Sequence, residues 1–225
     1  MGASKRNEVD VVRAKCYACY RPLSSCMCPH VKPIVTKTKF VILMHPKEFQ
    51  KVKNGTGHMT HLSLPNSELY VGVDFRNHKP VNDLLEDTSK RCYVLYPGDD
   101  ALHLNESKVE TAGRELVIFI IDATWSTAVK LLKVSTNLQA LPKLSFTHTK
   151  SSQFQIKQQP EEAYLSTIES TLTILELLAQ HKMETITEGA FEHFLDPFKA
   201  MIAYQIGCIA KSKSEHRNAI RFKKR

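Results

Sequence analysis

Four short apolar runs, separated by polar segments, set the frame of this chain. They cover residues 39–44, 69–73, 92–96 and 116–121 and are rich in β-branched and aromatic side chains. The first ends at His45-Pro46 and the third at Pro97-Gly98-Asp99. Turn and breaker residues of this kind close strands. The fourth run is apolar at every position, as a central parallel strand covered on both faces requires. Residues 126–134 carry Val129, Leu132 and Lys133 at helical spacing. Pro160-Glu161-Glu162 opens a second predicted helix, with proline and acids in its first turn and Leu165, Ile168, Leu172, Leu175, Leu178 and Ala179 along one face. A third predicted helix spans residues 191–209, with Phe194, Phe198, Ile202 and Gln205. Strands alternating with helices predict an α/β fold with a mostly parallel sheet flanked by helices.

Composition narrows the class. The chain has 225 residues, 42% hydrophobic and 24% charged, enough for a full core without staples. No apolar run approaches the roughly 18–20 residues that span a bilayer, and the first residues are polar, without the apolar core of a signal peptide. The expectation is a cytoplasmic protein with no membrane partner. The formal net charge is +8, and residues 211–225 hold seven cations against the single acid Glu215. Such a basic tail suits phosphate contacts with a nucleic acid. A solvated tail that aids solubility has the same composition, and composition leaves both readings open.

Four of the six cysteines, Cys16, Cys19, Cys26 and Cys28, lie within thirteen residues in the spacing C-x2-C-x6-C-x-C. Two close pairs can complete a tetrahedron of thiolates around one structural zinc ion. A redox pair needs only two cysteines and a strand before them, and residues 13–15 do not read as one. His30 is a possible substitute ligand, although four cysteines already satisfy a site. Cys92 and Cys208 stand in apolar stretches and are expected to be buried packing residues. The chain thus divides into a polar N-terminus with a cysteine module (1–38), a main domain (39–210) and the basic tail (211–225), the module standing apart from the main core.

Three polar elements follow predicted strands: Leu43-Met44-His45-Pro46-Lys47-Glu48, Tyr96-Pro97-Gly98-Asp99-Asp100 and Asp122-Ala123-Thr124-Trp125. In open α/β sheets ligands gather at the carboxyl ends of strands. Asp122 or Thr124 as a helix cap is the plainer alternative, but it leaves the only tryptophan of the chain on a loop without explanation.

On these residues the chain resembles the DTW-domain family of tRNA-uridine aminocarboxypropyltransferases. Asp122, Thr124 and Trp125 match the signature D-x-T-W, and the cysteine spacing resembles the family's cysteine module. The first-strand loop carries His45 and Glu48, and Asn54-Gly55-Thr56-Gly57 is similar to the family's Asn-Thr-Gly turn. Pro160 and the run Leu165-Ser166-Thr167-Ile168-Glu169 match a proline followed by Ser-Thr and Glu on a helix. The resemblance covers about residues 16–205 in order. It departs at Lys157, where the family has an arginine, and lysine lacks the bidentate fork.

The resemblance implies a SPOUT-related fold with a C-terminal trefoil knot that binds S-adenosylmethionine. It implies transfer of the 3-amino-3-carboxypropyl group to N3 of a tRNA uridine, with release of 5'-methylthioadenosine. Asp122, Thr124 and Trp125 are the catalytic candidates, Asp122 as general base or as a holder of the donor or the base edge. Leu43, Met44, Tyr96 and Pro97 would line a dry pocket. His45, Glu48, Asn54, Thr56, Gly57, Gly98, Leu165, Ser166 and Thr167 would complete the cofactor cradle, although Ser166 and Thr167 equally suit close helix packing. Two other classes fit the residues: an S-adenosylmethionine-dependent RNA methyltransferase, and a non-catalytic zinc-containing RNA-binding protein.

Overall fold

A computed structural model describes residues 14–50, 55–148, 165–187 and 189–223, with side chains through residue 212. The elements run β1 (Lys39–Met44), α1 (Pro46–Gln50), α2 (Gly57–Ser63), β2 (Ser67–Val71), α3 (Lys79–Glu86), β3 (Lys90–Leu95), β4 (Leu102–His103), β5 (Glu115–Asp122), α4 (Trp125–Val134), α5 (Thr136–Gln139), β6 (Lys143–Ser145), α6 (Thr167–Gln180), α7 (Ala190–Phe194) and α8 (Asp196–Lys223). The strands form one six-stranded sheet in the order β2-β1-β5-β3-β6-β4, and every pairing is parallel.

Strand alternation sorts the core into two layers. On β5, Leu116, Ile118 and Ile120 face the layer that holds Met59 of α2, Ile168, Ile174 and Leu178 of α6, and Phe194, Phe198 and Met201 of α7 and α8. Val117 and Phe119 face the opposite layer, with Val41 and Leu43 of β1, Val81 and Leu84 of α3, and Leu131, Leu132 and Leu138 of α4 and α5. Both faces of β5 are therefore dry, which is why its sequence is apolar without interruption from Leu116 to Ile121. Among the described residues no helix is long and apolar enough to cross a membrane.

Several expectations are corrected. The second and third strands begin two residues earlier than predicted, and β4 and β6, too short to leave a pattern, extend the sheet beyond the four strands expected. Helix α4 buries Ala128, Leu131 and Leu132 while Val129 is exposed, because the sheet lies against the 128/131/132 stripe. Leu165 precedes α6: Ser166 is its N-cap, in a reciprocal capping box with Glu169, an arrangement whose loss typically costs about 0.5–2 kcal/mol. Pro160 to Glu162 and Lys157 lie outside the described residues. The helix expected over 191–209 is two, because Pro197 cannot continue α7 and instead sits in the first turn of α8. Helix α8 then continues through the basic segment to Lys223. Cys92 is buried, and burial pushes its thiol up to about 11. Cys208, in contrast, is exposed, because α8 presents every residue from Ala203 to Ser212 wholly or partly to solvent. The cysteine module is not separate from the main core either. Met27 lies in the same apolar layer as α6 and α8, and the buried Arg21 donates from Nη2 to Met201 Sδ at 2.8 Å.

Candidate active site and metal centre

The alternation that places Leu116, Ile118 and Ile120 on one face places Asp122 there too, at the last position of β5. Met44, the last residue of β1, is its register partner. Chain direction diverges at this pair: β1 leads to β2 on one side, while β5 leads through α4 and α5 to β6 on the other. A divergence of this kind opens a crevice at the carboxyl ends of the strands.

Asp122 is buried, 7% exposed. The Thr167 hydroxyl, in the first turn of α6, donates to its Oδ1 at 2.6 Å. Its carbonyl accepts the His45 N–H at 3.0 Å, tying the end of β5 to the turn that opens α1. Gly57, the first residue of α2, lies so close that a methyl group there would collide with the carboxylate and with Met44 Cε. The carboxylate is thus enclosed by β1, α2 and α6. It does not cap α4. Thr124 is the N-cap of that helix, makes no side-chain cap bond, and shares a hydrogen bond with the Thr127 hydroxyl at 2.8 Å.

Trp125 opens α4 rather than standing on a loop. Its ring is stacked on Tyr96, with centroids 5.4 Å apart and planes 9° from parallel, and it remains 49% exposed. The ends of β3 and β5 thereby present a two-ring platform beside the crevice. The Tyr96 N–H donates to the Leu144 carbonyl at 3.0 Å. Beyond it, Pro97 and Gly98 are exposed, and Lys143 binds Asp100 at 2.8 Å, holding that carboxyl below its ordinary range.

The other candidates divide. Met44, Thr56 and Gly57 are buried beside Asp122 or in the turn leading to it. Leu43 points the other way, into the layer of Val41 and Phe119. His45 accepts the Lys47 N–H on Nδ1 at 3.1 Å, and its carbonyl accepts the Glu48 N–H at 2.8 Å. Ser166 directs both its N–H, at 2.9 Å, and its hydroxyl, at 2.6 Å, to Glu169 Oε2, while Leu165 sits half-buried ahead of the helix. Asn54 lies outside the described residues.

The four clustered cysteines converge. Cys16 and Cys28 Sγ are 3.6 Å apart, Cys19 and Cys26 Sγ 3.7 Å, and all four sulfurs lie within 4.8 Å of one another. Thiolates about 2.3 Å from one ion form a tetrahedron with edges of about 3.8 Å, so the set could hold a metal ion. Its electrostatics fit a cation. Backbone N–H groups of Cys19 and Ala18 lower the Cys16 thiol to about 6, while burial raises Cys26 and Cys28. Four thiolates this close repel one another, and a cation at their centre offsets that repulsion. His30 is exposed and not among the converging groups.

A DTW domain model matches residues 13–206. The chain belongs to the DTW domain family. Among curated relatives it is 27% identical over 210 residues to tRNA-uridine aminocarboxypropyltransferase 2 of Macaca fascicularis, covering 91% of this chain and 68% of that protein. It is 29% identical over 199 residues to the Mus musculus protein of the same name, covering 86% and 64%. To the Drosophila melanogaster protein of that name it is 32% identical over 171 residues, covering 74% and 67%. The chain thus spans about two thirds of the length of these relatives. No solved structure matches it.

Within this DTW domain the signature residues do different things. Asp122 is buried and held by Thr167, Thr124 starts a helix, and Trp125 stacks at the rim. The sequence singles out all three, but not how the neighbouring elements are joined. Tyr20 of the cysteine module, Phe49 of α1 and His58 of α2 form a three-ring cluster, with centroids 4.9 Å apart for Tyr20 and His58 and 5.3 Å for the other two pairs. Tyr20, one of two tyrosines inside the C-x2-C-x6-C-x-C spacing, was the available signal.

Proposed function

We propose that this DTW-domain chain is a tRNA-uridine aminocarboxypropyltransferase that uses S-adenosylmethionine as donor. The observation that carries the reading is Asp122: a buried carboxylate where the strand order diverges, enclosed by Gly57 and Thr167 and flanked by the Tyr96–Trp125 platform. The names of its relatives supply the substrate class.

In the reaction, uridine N3 attacks the γ-carbon of the donor's aminocarboxypropyl chain. The γ-carbon–sulfur bond breaks, 5'-methylthioadenosine leaves, and the imide proton goes to a base. Asp122 receives that proton, and the Thr167 hydroxyl fixes the carboxylate's orientation. Met44 and Tyr96 supply apolar surface, and the Thr56-Gly57 turn and the Pro97-Gly98 and Leu165-Ser166 backbones bracket the donor. Choice of the γ-carbon over the methyl carbon is a matter of orientation in the crevice. We assign zinc to the four-cysteine site as a structural ion. A SPOUT-type trefoil knot in the C-terminal half is in keeping with an all-parallel sheet in which β5 lies between β1 and β3. The setting we propose is the cytoplasm, where tRNA and reduced thiols coexist.

Incubation with tRNA and S-adenosylmethionine labelled separately in the methyl and in the carboxyl group tests the reading. Carboxyl label in RNA, with methyl label in 5'-methylthioadenosine, is the expected result. Methyl label in RNA makes the protein a methyltransferase, and neither label makes it a binding module. Removal of residues 211–225 is expected to weaken tRNA binding and leave donor affinity unchanged. Each lost phosphate contact lowers the salt slope of binding by roughly 0.7–0.9. Measurement of tRNA affinity at several salt concentrations decides it: an unchanged slope assigns RNA binding to the body of the protein.

A further inference from the structure

The cysteine module sits at the far end of two short chains of contact that both reach Asp122. Tyr20 lies between Cys19 and Arg21, both buried, at 2% and 3% exposure. The Cys16 N–H donates to the Arg21 carbonyl at 2.8 Å, and Arg21 is anchored on Met201. Tyr20 itself has φ 59°, a left-handed conformation that bulky residues rarely adopt and that persists only where its surroundings over-determine it. Its ring packs on His58 and Phe49, which also pack on each other.

Each of those two rings adjoins the carboxylate's enclosure. His58 follows Gly57, the residue whose backbone lies against the Asp122 carboxylate and Met44. Phe49 lies on α1, and its N–H donates to the His45 carbonyl at 3.1 Å, while the His45 N–H donates to the Asp122 carbonyl. One branch therefore bears on the Asp122 side chain and the other on its backbone. His58 is buried, and its Nε2 finds no hydrogen-bond partner among the described residues. Ring packing, not hydrogen bonding through that atom, joins it to its neighbours. With seven residues, α2 is too short to hold its place by its own hydrogen bonds.

We propose that the cysteine module is a positioning element for the Asp122 site, with Tyr20 as the positioning residue that holds α2 and α1 against that carboxylate through His58 and Phe49. As a statement about catalysis this rests on the aminocarboxypropyl transfer proposed above. As a statement about structure it stands alone.

The test compares the full chain with Tyr20→Ala and Tyr20→Phe by hydrogen exchange and by turnover. In Tyr20→Ala, exchange is expected to rise at the amides of α2 and to stay at wild-type level in β3 and α3, since local opening reports local contacts. Turnover is expected to fall by about tenfold to a hundredfold, the scale of a misplacement of about 1 Å, with KM for tRNA and metal content unchanged. Tyr20→Phe, which keeps the ring, is expected to match wild type in both readouts. The proposal is overturned by wild-type exchange in α2 of Tyr20→Ala, by a rise spread evenly over the sheet, or by loss of metal in that variant. A Tyr20→Phe variant as impaired as Tyr20→Ala also overturns it, because the hydroxyl would then carry the effect. If the wild type performs no transfer, the functional reading fails, and the exchange comparison still decides the positioning claim.

Discussion

Asp122→Asn is expected to keep the fold and to lower aminocarboxypropyl transfer by about 10²–10⁴-fold, the usual contribution of a positioned acid or base. The amide has nearly the shape of the carboxylate, so it fits against Gly57 and Met44. Its carbonyl oxygen can still accept the hydrogen bond that the Thr167 hydroxyl gives at 2.6 Å. What it loses is the capacity to take up the imide proton. The steady-state signature is therefore a fall in turnover at saturating tRNA and donor, with an unchanged unfolding midpoint and donor affinity. A loss confined to donor affinity reassigns Asp122 as a group that holds the donor. Wild-type turnover removes it from the chemistry altogether and leaves its burial as a packing feature.

Asp122 was legible in the sequence because its setting breaks a pattern: a carboxylate directly after a run, Leu116 to Ile121, apolar at every position. The same reasoning gave β1 and β5, where burial on both faces leaves a continuous apolar run. It failed where pattern is weak. Strands β4 and β6 have two and three residues, too few for any period to register. The spacing of Val129, Leu132 and Lys133 predicts the helix but not its buried stripe, which is Ala128, Leu131 and Leu132, because periodicity alone does not say which of two neighbouring faces meets the sheet. Cys208 was read as buried from its apolar neighbours Ile206 and Ile209, yet all three are exposed on α8. Composition reports hydrophobicity, and where a helix leaves the body of the protein is a property of the fold.

The contacts around the site were less legible. The family resemblance implies a turn at Gly57, but its approach to Asp122 depends on α2 lying against the end of β1. Thr167 lies 45 residues beyond Asp122, and nothing in either segment encodes their meeting. The capping box of α6 was different. Ser166 and Glu169 stand three apart ahead of an apolar stripe, the signature of a helix start, and α6 begins there.

Loss of a metal ion from the four-cysteine site is expected to destabilise the whole molecule, not only the cysteine module. Zinc-finger peptides draw roughly 10–16 kcal/mol of apparent folding free energy from the ion at neutral pH. In this chain the module is joined to the main body by Met27 in the core layer and by Arg21 on Met201, so opening it exposes one side of α8. Each kcal/mol lost lowers Tm by roughly 2–4 °C in a domain of this size. A fall of at least about 10 °C is expected for Cys19→Ser, or for the wild type after chelation and removal of the ion. Elemental analysis should find one metal per chain in the wild type and none in Cys19→Ser. Thiol titration supplies an independent measure. In the native, metal-loaded protein Cys208 should react quickly, being exposed, while Cys92 is buried with its thiol pushed up to about 11 and reacts slowly. Chelation should then release four further thiols. Freshly purified protein with no metal and those four thiols already free would remove the ion from this account, and a Cys19→Ser variant with unchanged Tm would show that the module holds its place without it.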